Sequence, residues 1–251
     1  MLKTIKIKLA AYLVTLIVFA FYGTGFCNDT LRHAAEPDKA LLAKFELLCK
    51  KMRDIKGNYT LGGIIDINDK ANPADRMNHV SFLFCKQADE FYYQLGKTVT
   101  LNEQGVYLCI DYGIKRIMFS RQKTVNYDTG LKQFADIGAT IRSENYQLSS
   151  KITGDEQTIS LINERHITCK QYALTFNRRN MKIKRLYMRL SNFNDPLRTG
   201  NEKIVDVSIN TWDNTADVTR YLSKNNVIEH VNGTWKTTKE FKDYQLIKTD
   251  Y

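Results

Sequence analysis

His166 and Cys169 stand three residues apart in HITC, and a thiol beside an imidazole is the raw material of a nucleophile and its base. The surrounding HITCKQYALTF (166–176) reads as a strand, where side chains three apart point to opposite faces. That geometry sets the pair aside as a catalytic unit. The 4 histidines show no metal-ligand spacing, and the sequence carries no G-x-S-x-G, H-E-x-x-H, P-loop or dinucleotide fingerprint. Asp89-Glu90 and Asp155-Glu156 fall at turns, where their polarity explains them. We therefore expect no enzyme, no cofactor, and no catalytic or metal-binding residue.

Cys49, Cys85, Cys109 and Cys169 are widely spaced and lack a C-x-x-C pair, which speaks against a zinc site. They allow two disulfides in any of three pairings, or buried free thiols; the apolar run around each favours thiols. The densest basic stretch, RRNMKIKRLYMR (178–189), holds six basic residues and no acid. It suits anionic lipid headgroups or an acidic partner. Alternatively, Arg178 and Arg179 form a hairpin tip and the strand's charges keep a sheet edge from pairing with other chains. The second reading is preferred.

Chemistry aside, the elements are legible. Asp38 can cap a helix over about 38–56, with Leu41, Phe45, Leu48, Met52 and Ile55 on one stripe and Gly57 as its stop. Strands follow at 59–67, 79–86, 90–95, 98–102, 105–111 and 115–121, joined by short turns as in an antiparallel meander. A helical segment is expected at 129–137, then strands at 145–152, 157–164, 166–176, 181–191 and 202–212. Residues 216–225 read as a further helix, and IEHV and FKDYQLIKT as closing strands. Gly62-Gly63 marks a bulge or bend within the first strand.

Several strands are apolar on both faces. In QGVYLCIDYGIKRIMFSR (104–121), Val106, Leu108 and Ile110 oppose Tyr107 and Cys109; Phe82 and Phe84 likewise oppose Leu83 and Cys85. A one-sided antiparallel sheet alternates cleanly, so part of this sheet needs cover on both sides. The expected fold is α+β, mainly β: a large curved antiparallel sheet, or half-barrel, with two or three helices on one face. Its other face would enclose an apolar ligand, with Phe82, Phe84, Phe91, Tyr93, Leu186 and Met188 as the candidate lining.

The helix LLAKFELLCKKMRDIKGNY and the hairpin in NEQGVYLCIDYGIKRIMFS together resemble the LolA/LolB-like lipoprotein-carrier superfamily. The resemblance lies in the order of elements and rests on no diagnostic motif. It implies a half-barrel that holds acyl chains, and it transfers no functional residue to a numbered position here.

The N-terminus reads as a signal peptide over residues 1–27. Lys3, Lys6 and Lys8 precede an uncharged run from Leu9 to Tyr22, and small residues follow. Fourteen residues are short for a membrane span, which needs about 20. Cleavage after Cys27 or after Gly25 fits; lipidation of Cys27 is disfavoured by Phe26 before it. Residues 28–251 would form one LolA-like domain with 34 basic and 27 acidic residues. The expected place is the periplasm or the outside. The expected partners are an apolar or acylated ligand and an envelope protein, without nucleic acid and without a membrane span after cleavage. The competing function is a non-catalytic adaptor of the envelope whose sheet is packed solid.

Overall fold

The computed structural model describes residues 38–53, 58–124, 141, 143–192 and 194–249. Segment 1–27, the helix expected at 129–137, and Ile55 and Gly57 lie outside the described residues. Helix α1 (Lys39–Arg53) opens the described chain. The strands of the first half are β1 (Tyr59–Asp69), β2 (Met77–Gln87), β3 (Glu90–Leu95), β4 (Thr98–Glu103), β5 (Val106–Asp111) and β6 (Arg116–Arg121). Those of the second are β7 (Gln147–Thr153), β8 (Glu156–Ile162), β9 (Cys169–Asn177), β10 (Ile183–Leu190) and β11 (Lys203–Asp213). A short helix α2 (Lys224–Val227) leads into β12 (Ile228–Val231), β13 (Thr234–Thr237) and β14 (Gln245–Lys248).

Twelve strands form one sheet in the order β14-β6-β5-β4-β3-β2-β1-β11-β10-β9-β8-β7. The mainly β fold with few helices is the one expected. Two pairings depart from a simple meander: β1 neighbours β11, and β14 runs parallel to β6, with Leu246 beside Ile117. Parallel neighbours need a long connection, and residues 122–244, which include β7 to β13, lie between β6 and β14. Residues 216–225, expected as a helix, form a 3-10 turn at Val218–Arg220 and the start of α2. Among the described residues no helix is long and apolar enough to cross a membrane.

The chain divides into two compact units: residues up to 54, 65–79 and 127–208, and residues 55–64, 80–126 and 209–251. In the first, Asp38 caps α1 as expected, its carboxylate accepting from the Ala40 and Leu41 N–H groups at 2.9 and 3.2 Å. Phe45 and Leu48 are fully buried, and Phe45 meets Tyr172 of β9. Leu41 and Met52, expected in the core, are only half-buried, and Leu42 takes the inner place. The buried stripe is centred on the i, i+3 row 42, 45 and 48, which leaves Leu41 on its rim.

Register explains the core of this unit. Leu186 sits between Leu174 and Val207, and Met188 between Tyr172 and Val205. These side chains share one face with Ile159 and Leu161 of β8. The other face is polar: Thr158 and Thr175 hydrogen-bond at 2.8 Å, and Arg185 pairs with Asp206. Because β10 lies between β9 and β11, its charges do not guard an edge, contrary to expectation. They pair across neighbours instead, Arg185 with Asp206 and Arg189 with Glu164. Beneath the surface, Lys170 and Glu202 form a buried ion pair at 2.9 Å, and Lys203 holds Asp69 at 2.8 Å.

In the second unit, one face of β2 to β6 carries Cys85, Tyr92, Leu101, Leu108 and Phe119, aligned by register. The C-terminal segment covers it: Val218, Val227, Ile228 and Phe241 are buried in the same core. Glu103, fully buried, anchors that cover by accepting from Ser223 Oγ at 2.8 Å and from the Lys224 N–H at the start of α2. Gly62 is needed for a close approach: a Cβ there would lie 2.9 Å from Leu83 Cδ1 and 3.3 Å from the Phe82 carbonyl oxygen.

Candidate ligand-binding site

The second face of β2 to β5 gathers aromatic rings. Phe84 and Tyr93 are direct cross-strand partners, and their centroids lie 6.0 Å apart. Phe84 also meets Tyr59 at 5.6 Å and Phe91 at 6.0 Å. Phe91 and Tyr107 face each other across Asn102 of the intervening β4, at 6.5 Å. Tyr59, Phe84, Phe91 and Tyr107 are half-buried, whereas Phe82 and Tyr93 are buried. The result is a cluster of aromatic rings on the face opposite the core, of which Tyr59, Phe84, Phe91 and Tyr107 keep partial exposure.

Polar side chains share this face: Lys86 is the cross-strand partner of Phe91, and Thr100 lies between Tyr93 and Cys109. Lys123 Nζ sits 4.3 Å from the centre of the Tyr107 ring, a cation over a π face. Asn102, fully buried, clamps the rim: its Nδ2 donates to the Asp89 and Lys123 carbonyls, and its Oδ1 accepts from the Lys123 N–H at 2.9 Å. The Tyr93 hydroxyl is buried and finds no hydrogen-bond partner among the described residues. Burial pushes the Tyr59 hydroxyl up to about 12, and burial, helped by Cys109, does the same to Tyr107, also up to about 12. Burial alone also raises Tyr93, so these phenols stay neutral donors at ordinary pH.

Of the residues expected to line a hollow, Phe84, Phe91 and Tyr93 are in contact, and Phe82 shares their face opposite Leu95. Leu186 and Met188 belong to the first unit, where they are 4% and 2% exposed on the face that Tyr172 presents to α1. Tyr59 and Tyr107 were not among the expected lining. Tyr107 is findable from hairpin register, since it is the outward residue opposite Asn102; Tyr59 needs the tertiary fold.

The HITC reading needs correction. His166 lies in a turn and the strand begins at Cys169, so opposite strand faces are not what separates them. His166 Nδ1 accepts from the Cys169 N–H at 3.0 Å and the Thr168 N–H at 3.2 Å, which leaves the proton on Nε2 for Glu144 at 3.1 Å. The Cys169 thiol turns instead to the Gln171 carbonyl, and burial pushes it up to about 12. A thiolate is thus disfavoured, and the imidazole is occupied by backbone. Cys49, Cys85, Cys109 and Cys169 form no disulfide, in line with the preference for thiols. Among the described residues no group of three His, Cys, Asp or Glu side chains could hold a metal.

No family model matches the chain, and no curated protein matches it. Solved structures do. An uncharacterized conserved protein from Thermus thermophilus is 10% identical with a TM-score of 0.38, over 82% of this chain and 99% of that one. A LolA superfamily protein from Nitrosomonas europaea is 13% identical with a TM-score of 0.28, over 76% and 99%. A DUF1329 family protein from Desulfovibrio piger is 8% identical with a TM-score of 0.28, over 72% and 94%. At these identities and scores the likeness assigns no residue a role.

Proposed function

We propose that the protein is exported to the bacterial envelope as residues 28–251 and binds an apolar or acyl-bearing ligand, a lipid or a lipoprotein, on the aromatic face of β2 to β5. One observation carries this reading. Tyr93 holds a buried hydroxyl without a partner among the described residues, within a surface of half-buried rings. A buried donor left unmade costs roughly 1–3 kcal/mol, and a ligand that brings an acceptor removes that cost. Ring faces supply the apolar area an acyl chain requires, and a single hydroxyl suffices to orient its ester.

Native mass spectrometry of the protein purified without detergent tests this, beside Phe84→Arg. The wild type should retain lipid or fatty acyl mass. The variant should lose it while keeping its circular dichroism and its melting temperature, because Phe84 is half-buried and an arginine can reach solvent. A wild type without lipid, together with a variant that unfolds, would replace this reading with the packed adaptor.

A further inference from the structure

A pocket of about 400 Å3 opens in the first unit, between α1, the start of β8 and the turn from β9 to β10. Phe176, Met181 and Gln157 line it together with Lys44, Arg178 and Arg179, which stand against the single acid Asp155. The turn is held by the Asn177 side chain and by the backbone of the neighbouring turn before β8. Asn177 Oδ1 accepts from the Arg179 and Asn180 N–H groups at 3.0 and 3.2 Å, and the Arg178 N–H donates to the Asp155 carbonyl at 2.8 Å. Lys44 donates to Gln157 Oε1 at 3.2 Å, and Gln157 is steadied in turn by donating to Ser150 Oγ at 2.7 Å. Arg179 already has a carboxylate, Asp155 at 2.9 Å. The Arg178 guanidinium has no ion or hydrogen-bond partner among the described residues.

We propose that this pocket binds a phosphate group. Three cations against one acid leave a local charge of +2, which a phosphate dianion matches. A carboxylate is a monoanion with a single two-oxygen edge: it could fill the Arg178 fork and would leave the Lys44 charge unmatched. A tetrahedral phosphate can take the free fork of Arg178 on one side and the Lys44 ammonium on the other, leaving the Arg179–Asp155 pair intact. The volume exceeds what one phosphate needs, which leaves room for a small polar ester group such as glycerol. The pocket lies wholly within the first unit, and the proposal stands whether or not the aromatic face of the second unit takes a ligand.

The phosphate is carried either by a free ester or by a lipid headgroup, and two assays on the full chain separate them. Calorimetry at fixed ionic strength uses inorganic phosphate and glycerol 3-phosphate; flotation uses phosphatidylcholine vesicles with and without phosphatidylglycerol. Arg178→Glu is compared with Lys182→Glu, an exposed neighbour outside the lining that makes the same charge change. We expect Arg178→Glu to weaken binding by about tenfold or more, the loss of a charge-assisted hydrogen bond, while Lys182→Glu stays within about twofold. Loss in calorimetry assigns a free ester; loss in flotation alone assigns a lipid headgroup. If Arg178→Glu does not fold, Arg178→Gln should still weaken binding by about threefold. No binding in either assay, or equal losses for the residue 178 and residue 182 variants, overturns the proposal.

Discussion

Phe45 of α1 and Tyr172 of β9 meet in a T-shaped contact, with centroids 5.8 Å apart and planes at 85°. That contact closes the helix onto the sheet, because Phe45 is fully buried and Tyr172 aligns with Met188 and Leu161 on the same face. Replacing Phe45 by Ala removes the ring and leaves a cavity that the strands can only partly fill. We expect a loss of about 3–5 kcal/mol in urea unfolding. A change within measurement error would show that α1 contributes nothing to the stability of this unit.

Lys170 and Glu202 pose a different problem. Their side chains are 1% and 3% exposed, and the charges meet at 2.9 Å with Lys70 a further 4.0 Å from Glu202. Removing one partner of such a pair strands a charge in the interior, whereas replacing both with apolar side chains does not. Lys170→Met should therefore cost about 3–5 kcal/mol, and Lys170→Met with Glu202→Leu clearly less. A double-mutant cycle in chemical unfolding checks it: additive losses would mean that the two charges do not depend on each other.

Asp69 gives the first unit a pH dependence. Burial alone would raise its carboxyl, but the Lys203 ammonium and the Asn72 and Ala71 N–H groups together hold it below the ordinary 3.8. A carboxyl depressed in the folded state stabilises above its unfolded pKa, and that contribution is lost as pH falls through the folded value. Lys203→Ala should thus destabilise the protein at pH 7, and the difference from wild type should shrink below about pH 3.8. Equal differences at both ends of the titration would remove Asp69 from the acid response.

What the sequence made legible was the local part. The Asp38 cap, the Phe45 and Leu48 stripe, and the two-faced strands from Phe82 to Cys109 follow from spacing alone. The cover of the second unit was not legible, because Val218, Val227, Ile228 and Phe241 carry no shared period and act together only after folding. The parallel β14 was hidden for the same reason: a four-residue strand shows what it can pair, not with which neighbour or in which direction. The aromatic face was half visible. Alternation placed Phe82, Phe84, Phe91 and Tyr93 on one side, but it could not say that Leu186 and Met188 lie beneath the α1 side of a different unit.

Gly62 tests the close packing of the second unit. With a Cβ placed 2.9 Å from Leu83 Cδ1 and 3.3 Å from a backbone oxygen, Gly62→Ala forces a shift, of which only the leucine part is soft. Overpacking of this kind costs about 1–3 kcal/mol. Thermal unfolding should show it, and pairing Gly62→Ala with Leu83→Ala should recover part of the loss relative to Leu83→Ala alone. A neutral Gly62→Ala would mean that Leu83 rotates away freely.

Tyr93 separates a structural hydroxyl from one that waits for a ligand. Its oxygen is buried among Phe84 and its neighbours without a partner among the described residues, so in the ligand-free protein it costs stability instead of adding any. Tyr93→Phe keeps the ring, its contact with Phe84 and its volume, and deletes only that oxygen. The ligand-free variant should be as stable as the wild type or more so, by up to about 1–3 kcal/mol. An acyl ester that accepts from the hydroxyl would lose that bond in the variant, and its affinity should fall by about fivefold or more. The two effects have opposite signs, which is what makes the pair informative: thermal unfolding without ligand reports the first, and retention of acyl mass reports the second. A variant that is less stable when empty and yet holds lipid as well as the wild type would place the hydroxyl in the fold and leave the aromatic face without its polar anchor.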